Sequence, residues 1–291
     1  MSWFSGPSVA GRKVLITGAA RGIGAALAVR LAAHGAQVAL LGLEPELLAE
    51  VAAECGDAPW RYCDVADRAQ VERVVEALVA ELGGLDVLVA NAGIAKQMAM
   101  IGGDPGVLEE TLAVNVLGAA YVVQAAGAHI ARPGGYVLMM SSISTAVQLP
   151  LAGAYSASAA AIEALAITLR CELRSTGARV GISYFAEIDT DMTRRGFGTA
   201  AAHTVLAEIS LTGISPIGPA VEALERAIAR RSRTVVSPWW VALVLPVRPL
   251  AQLVVQRLLG NKVDRAVEIA RTEEVPFTTT QPARPRRMER R

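Results

Sequence analysis

Two hydroxyls and a phenol stand close together where an apolar run ends in Ser141-Ser142 and the chain continues through Pro150 and Gly153 to Tyr155. A phenol and a hydroxyl brought to one ligand pass a proton to or from an alcohol or carbonyl oxygen. Ala159 lies four residues beyond Tyr155, on the same face of the helix that carries it, and brings no charge there. A tyrosine's ordinary pKa of ~10 is too high for a base near neutrality. A unit charge about 5 Å away, at an effective dielectric of about 20, contributes ~3 kcal/mol, or about two pH units. The methyl group at position 159 contributes none of it.

A second constellation lies near the start. Lys13 to Thr17 is an apolar run of strand type, Gly18-Ala-Ala-Arg-Gly-Ile-Gly24 follows, and Ala25 to His34 has an apolar helical face. In a strand, glycine turn, helix context, glycines let the backbone approach a pyrophosphate at a helix N-terminus. The spacing is Thr-Gly-x-x-x-Gly-x-Gly rather than Gly-x-Gly-x-x-Gly, and glycines also end strands and pack helices. Gln37 to Leu41 completes a strand–helix–strand unit that ends at Gly42-Leu43-Glu44. A carboxylate there binds ribose hydroxyls, so Glu44 points to NAD, whereas Arg21 in the glycine turn points to the 2′-phosphate of NADP. The choice stays open.

These residues need a frame. Apolar runs at Trp60–Cys63, Leu85–Ala90, Tyr136–Met140, Arg179–Phe185 and Arg233–Ser237 alternate with helical segments at Glu46–Cys55, Asp67–Leu82, Glu109–Ile130, Ala160–Ser175 and Pro219–Arg231. The alternation predicts a doubly wound parallel sheet of about seven strands with helices on both faces, and ligand at the strands' C-terminal ends. Asp64-Val65 follows the third strand, as an adenine acceptor or as part of a helix cap. Asn91-Ala92-Gly93 follows the fourth, as a ribose surface or a plain turn. Asn115 sits among Leu112, Val114 and Val116, where its bland role is a buried hydrogen bond from helix to sheet.

With 291 residues, 53% apolar and a net charge of +1, the chain carries a large core and does not suit nucleic acid. Cys55, Cys63 and Cys171 form no C-x-x-C pair and read as reduced core residues; with no signal peptide recognised, a cytoplasmic setting is expected. His34, His129 and His203 lack metal spacing, so no metal is expected. Residues 1–237 read as one domain with a glycine-rich substrate loop at about 190–215, 238–260 as an apolar extension, and 261–291 as a largely flexible basic tail ending in Arg284, Arg286, Arg287, Arg290 and Arg291. Within Trp239–Leu259, Pro246, Arg248 and Pro249 interrupt the apolar run, so no membrane span is expected. The segment is expected to pack on the domain or a partner, with a peripheral membrane contact as the alternative.

Thr17-Gly-Ala-Ala-Arg-Gly-Ile-Gly24, Asp64-Val65, Asn91-Ala-Gly93, Asn115, Ser142, Tyr155 and Ile188-Asp-Thr190, in that order, resemble the short-chain dehydrogenase/reductase family from residue 11 to about 237. The resemblance implies a Rossmann-type fold and an NAD(P)-dependent oxidoreductase acting on a secondary alcohol or ketone. It places Thr17, Gly18, Ala20, Arg21, Gly22, Ile23, Gly24, Leu43, Glu44, Asp64, Val65, Asn91, Ala92, Gly93, Tyr155, Ile188 and Thr190 at the cofactor. Ser142 would bind the substrate oxygen, Tyr155 would be the general acid or base, and Asn115 would order a relay water. Ala159 stands where the family has lysine, and Phe185-Ala186 where it usually has Pro-Gly. A large loss of rate is expected, either because an active enzyme was altered at Ala159 or because the chain lost turnover naturally; the intact Asn115, Ser142 and Tyr155 favour the first. Lys96 and Arg194 are the cations suggested as substitutes, and neither is expected to reach the phenol. Val147, Leu149, Leu151, Met192 and the 239–259 segment suggest an apolar, steroid-, lipid- or polyketide-like substrate. The family implies a homo-oligomer, a dimer or tetramer. A non-catalytic nucleotide sensor or scaffold of the same fold is the competing reading.

Overall fold

Alternate residues of each short apolar run serve opposite faces of one sheet. In β1 (Lys13–Thr17), Val14 and Ile16 enter a core with Leu27 and Leu31 of α1 (Gly22–Ala33) and Leu224 of α9 (Ile217–Arg230). Leu15 faces the other way, toward Val75 and Leu78 of α3 (Arg68–Leu82) and Ile162 of α6 (Gly153–Glu172). A strand covered on both faces needs apolar residues throughout, which is why these runs do not alternate with polar residues. The computed structural model describes residues 7–196, 199–206, 213–260, 262–273 and 276–283. Arg284, Arg286, Arg287, Arg290 and Arg291 of the predicted basic tail lie outside them, as do positions 197–198 and 207–212 of the predicted substrate loop.

The sheet holds seven parallel strands: β1, β2 (Gln37–Gly42), β3 (Trp60–Tyr62), β4 (Val87–Ala90), β5 (Tyr136–Ser142), β6 (Arg179–Phe185) and β7 (Thr234–Ser237), in the order β3-β2-β1-β4-β5-β6-β7. It is the predicted Rossmann-type sheet. The strand order reverses direction between β1 and β4, so the connections leave a crevice there, outside the strands' C-terminal ends. The remaining N-terminal helix is α2 (Pro45–Glu54).

The long helix begins earlier than its apolar pattern suggests and is not uniform. It runs as α4 (Pro105–Leu112), a wider π turn at Ala113–Gly118 and α5 (Ala119–Ile130). The π turn carries Asn115.

Four expectations need correction. The described residues of the segment expected as a substrate loop include two short helices, α7 (Asp191–Gly196) and α8 (Ala200–Leu206). The expected flexible tail contains α12 (Lys262–Thr272), because Ala266 packs with Ala201 and Val205 of α8 and Leu259. Glycines and arginines hid that small core from a composition-based reading. The prolines do not break 239–259: α10 (Val241–Val244), a 3₁₀ turn at Leu245–Val247 and α11 (Arg248–Leu259) follow each other directly. Pro246 and Pro249 each sit in the first turn of their element, where the missing N–H has no partner to lose. Cys171 is exposed rather than in the core.

Polar contacts hold α11 down. Arg248 pairs through both terminal nitrogens with Glu163 of α6, at 2.7 and 2.6 Å, and lies over the Tyr184 ring. Leu243, Leu250, Leu253 and Leu258 remain exposed. By length and composition Pro105–Ile130 and Val241–Leu259 both suffice to cross a membrane; the former is packed on the sheet through Val122 and Ala126, the latter lies almost wholly on the surface.

Packing is tight at Gly181 of β6, the strand next to the β7 edge of the sheet. An added Cβ would lie 2.0 Å from the Tyr136 hydroxyl oxygen, which donates to Ser232 O at 2.7 Å. Gly181→Ala therefore overpacks the core and unseats a buried hydroxyl, and is expected to cost about 2–5 kcal/mol. Urea denaturation checks this; an unchanged midpoint would contradict the packing described.

Candidate active site

The C-terminal ends of β1 and β4 are joined by side chains. Thr17 Oγ1 accepts from the backbone N–H of Asn91 at 2.9 Å and of Ala92 at 2.8 Å. The Asn91 amide donates back to Thr17 O at 2.9 Å and Gly18 O at 3.2 Å. Beside this lock the chain turns into α1 through Gly18, whose φ of +62° belongs to the left-handed region. Gly24 packs against that turn so closely that a Cβ would lie 2.2 Å from Gly18 O. No acidic side chain stands in the first turn of α1 and no side chain caps it, which leaves the positive end of that helix available to an anion.

Two adjoining cavities open here, sharing Ile23, Asn91, Ala92, Gly93, Thr190 and Met192. Of the predicted cofactor residues, Gly18, Ala20, Arg21, Gly22, Leu43, Glu44, Asp64 and Val65 line the outer cavity, and Ile188 and Tyr155 the inner one. Thr17 and Gly24 line neither. The Thr17 hydroxyl oxygen accepts from Asn91 and Ala92, and Gly24 packs against the turn behind the wall. The Asn91 side chain is likewise committed to the turn. The helix α3 is capped by Asp67, which accepts from Gln70 N at 3.0 Å, while Asp64 Oδ1 accepts from Ala66 N at 2.9 Å beside the cavity.

The two conflicting charges of the outer cavity form one ion pair. Arg21 Nε donates to Glu44 at 2.8 Å, a second nitrogen also reaches Glu44, and Nη1 meets Asp191 at 3.0 Å. The Glu44 hydrogen bond, ahead of the nearby Asp191 charge, holds Arg21 firmly protonated. Among the described residues lining this cavity, Arg21 is the one cation against Glu44, Asp64 and Asp191. Burial pushes the Cys63 thiol up to about 12, leaving it unreactive. Thr278, Thr279 and Gln281 also line the cavity, and no sequence signal pointed to them.

Asn115, Ser142, Tyr155 and Ala159 come together in the inner cavity. Asn115 Oδ1 accepts from Ile94 N at 2.8 Å, and its Nδ2 donates to Ile94 O at 2.9 Å and Ser158 Oγ at 3.0 Å. Ser158 Oγ in turn donates to Tyr155 O at 2.8 Å. The asparagine thus ties the loop after β4 to the first turn of α6, where Tyr155 sits. Ser142 Oγ donates to Phe185 O at 3.3 Å and accepts from Ser144 N at 3.2 Å. Ser144, not singled out beforehand, also lines the cavity, and its buried hydroxyl has no partner among the described residues.

Burial raises the Tyr155 phenol above its ordinary value, and a hydrogen bond with Ser142 pulls the other way without overcoming it. No lysine or arginine is among the described residues lining the inner cavity. The two substitutes are engaged elsewhere: Lys96 Nζ lies over the Phe277 ring, and Arg194 Nε donates to Asp189 at 2.8 Å. Val147, Leu149 and Met192 line the cavity as expected. Leu151 packs instead with Ala99 and Ala201, and no residue of 239–259 reaches the cavity.

Residues 12–201 match the sequence profile of the family described as short chain dehydrogenase. An uncharacterized oxidoreductase of Mycobacterium tuberculosis (strain CDC 1551 / Oshkosh) is 31% identical over 253 residues, covering 83% of this chain and 92% of that protein. The fold is that of a short chain dehydrogenase/reductase from Burkholderia phymatum solved in complex with NAD, with a TM-score of 0.72, 22% identity, and 82% and 93% of the two chains covered. An alcohol dehydrogenase from the archaeon Thermococcus sibiricus, complexed with 5-hydroxy-NADP, aligns with a TM-score of 0.68 at 25% identity over 77% of this chain and 94% of that one.

The glycine turn admits a direct check. A methyl at position 24 forces apart Gly18 O and the Asn91 amide. Overpacking of this kind costs about 1–3 kcal/mol, so Gly24→Ala is expected to weaken nicotinamide nucleotide binding about tenfold or more. Fluorescence titration measures it, and undiminished affinity would rule out the turn as a phosphate cradle.

Proposed function

The chain belongs to the short-chain dehydrogenase family, and we propose that it moves hydride between NAD and a secondary alcohol or ketone with an apolar body. The observation that carries this reading is the convergence of Ser142, Tyr155 and Asn115 in a cavity that shares a wall with the glycine cradle. A nicotinamide dinucleotide, when bound, supplies the hydride acceptor or donor. Gly18, Gly22 and the N-terminus of α1 would hold its phosphates, and Asp64 and Val65 would flank its adenine.

Ser142 holds the substrate oxygen and Tyr155 exchanges a proton with it: the phenol gives its proton to a ketone oxygen, or the phenolate takes one from an alcohol. Asn115 and Ser158 fix the turn from which the phenol projects. Met140, Val147, Leu149, Ile162 and Phe185 line the same cavity and exclude water, which suits a steroid-, lipid- or polyketide-like substrate. With Ala159 in place of a cation, the buried phenolate lacks stabilisation, so proton exchange by Tyr155 is slow at neutral pH. A pure sensor would not need Ser142, Tyr155 and Asn115 together, which disfavours that alternative.

Charge argues for NAD over NADP. A 2′-phosphate beside Glu44 would meet an arginine already shared with Glu44 and Asp191. Repulsion of this order costs ~1–2 kcal/mol at a partly screened site, so NAD is expected to bind about tenfold tighter than NADP. Parallel titrations decide it, and tighter NADP binding would refute the charge argument.

A base whose pKa is raised acts only once it is deprotonated, so alcohol oxidation should climb with pH well into the alkaline range. Ala159→Lys restores the charge; it is expected to raise turnover at pH 7 about 100-fold and to bring the alkaline limb down by about two pH units. A pH–rate profile on an alcohol and ketone panel tests this. If the lysine variant turns over nothing, the oxidoreductase reading fails.

A further inference from the structure

We infer that the C-terminal residues Phe277–Gln281 form a strap across the adenosine half of the cleft, with Thr278 and Gln281 hydrogen-bonding the bound dinucleotide. The inference rests on the cofactor reading above and adds to it a binding element that sits outside residues 12–201, the part matched by the family profile. The strap is anchored at several points. Phe277 packs on Met98, Val107 and Ala154, under the Lys96 ammonium. Arg195 donates to Thr278 O at 3.5 Å, and Thr279 Oγ1 donates to Glu44 at 3.4 Å. Upstream, the Glu273 carboxylate accepts from the N–H groups of Ala200 at 2.9 Å and Ala201 at 3.2 Å, fastening the end of α12 to the start of α8.

Within that frame two polar atoms are left over. Thr278 is 9% exposed and lines the outer cavity, yet its hydroxyl has no partner among the described residues. The Gln281 carbonyl Oε1 is buried without a partner in the same way, while its Nε2 donates to Thr279 O at 2.8 Å. A buried hydroxyl or amide oxygen with no partner is costly, and such groups ordinarily belong to a ligand-binding arrangement or a hydrogen-bond network. The chemistry available is one hydroxyl, able to donate, and one carbonyl, able only to accept. A ribose hydroxyl or the adenine amine satisfies the carbonyl; a ribose or phosphate oxygen satisfies the hydroxyl. Both sources lie on the adenosine side, where Glu44 and Asp64 line the cavity.

The full-length chain and its Thr278→Val, Gln281→Met double variant are titrated calorimetrically with NAD and with ADP-ribose, which lacks the nicotinamide. The double variant is expected to bind both about tenfold more weakly, as loss of two ligand hydrogen bonds requires. The free Thr278→Val single variant should melt no lower than the parent, because it removes a hydroxyl that bonds nothing in the free protein, whereas Gln281→Met also gives up the Nε2 bond to Thr279 O. A purely structural role would instead lower the melting temperature and spare affinity. Hydrogen exchange of 276–283 in the unaltered chain, expected to slow when NAD is added, gives a readout free of any substitution. Equal affinities, or tighter binding by the variant, would overturn the strap alone. A parent chain that binds neither NAD nor ADP-ribose would overturn the cofactor reading, and the strap with it.

Discussion

One threonine oxygen holds the site together. By accepting two consecutive backbone N–H groups from Asn91 and Ala92, Thr17 Oγ1 fastens the end of β4 to the end of β1. At this point of the sheet the strand order reverses and the covering connections diverge, so the backbone groups of both ends would otherwise lack partners. The Asn91 amide closes the same junction from the other side. Asn91–Gly93 is the wall between the two cavities, so the geometry of both depends on this one junction. The absence of side chains at Gly18 and Gly24 is part of the same constraint, because the turn and the wall already touch.

A second network places the phenol. The π turn at Ala113–Gly118 holds a buried asparagine whose amide is fully engaged with Ile94 and Ser158. A buried polar network is stabilising only when every member is satisfied, and this one is. It therefore spans three elements, the long helix, the loop after β4 and α6, at the turn bearing Tyr155. What the frame lacks is charge: desolvation acts on the phenol with no cation among the described lining residues to offset it. Positioning and charge are separate provisions here, and Ala159 brings no charge to the cavity.

The C-terminal third contributes a smaller layer of its own. Helices α8 and α12 share a small core with the end of α11, and Glu273 ties α12 to α8 across the chain. The Arg248–Glu163 pair, also bonded to the Tyr184 hydroxyl, anchors α11 beside α6, so this layer rests on the same helix that carries the phenol.

The strands, the two-sided core and the cleft between β1 and β4 were legible in the sequence, since a strand buried on both faces must be apolar throughout and a close backbone approach must be glycine. So were the types and spacing of Ser142, Tyr155 and Ala159, because local helical geometry sets which positions share a face. Partners distant in sequence were not legible. Arg21 and Glu44 read as competing signals, yet three-dimensional contact with Asp191 makes them one ion pair. Thr17, Gly24 and the Asn91 amide read as ligand contacts, and only the folded chain reveals that the Thr17 oxygen and the Asn91 amide bond each other's strands while Gly24 packs against the turn. The segments at 190–215 and 262–283 carry polar, glycine- and arginine-rich sequence that suggests mobility. The described residues of these segments are held by a few alanines, Phe277 and Glu273 meeting helices far away in the chain, a long-range complementarity that no local pattern encodes.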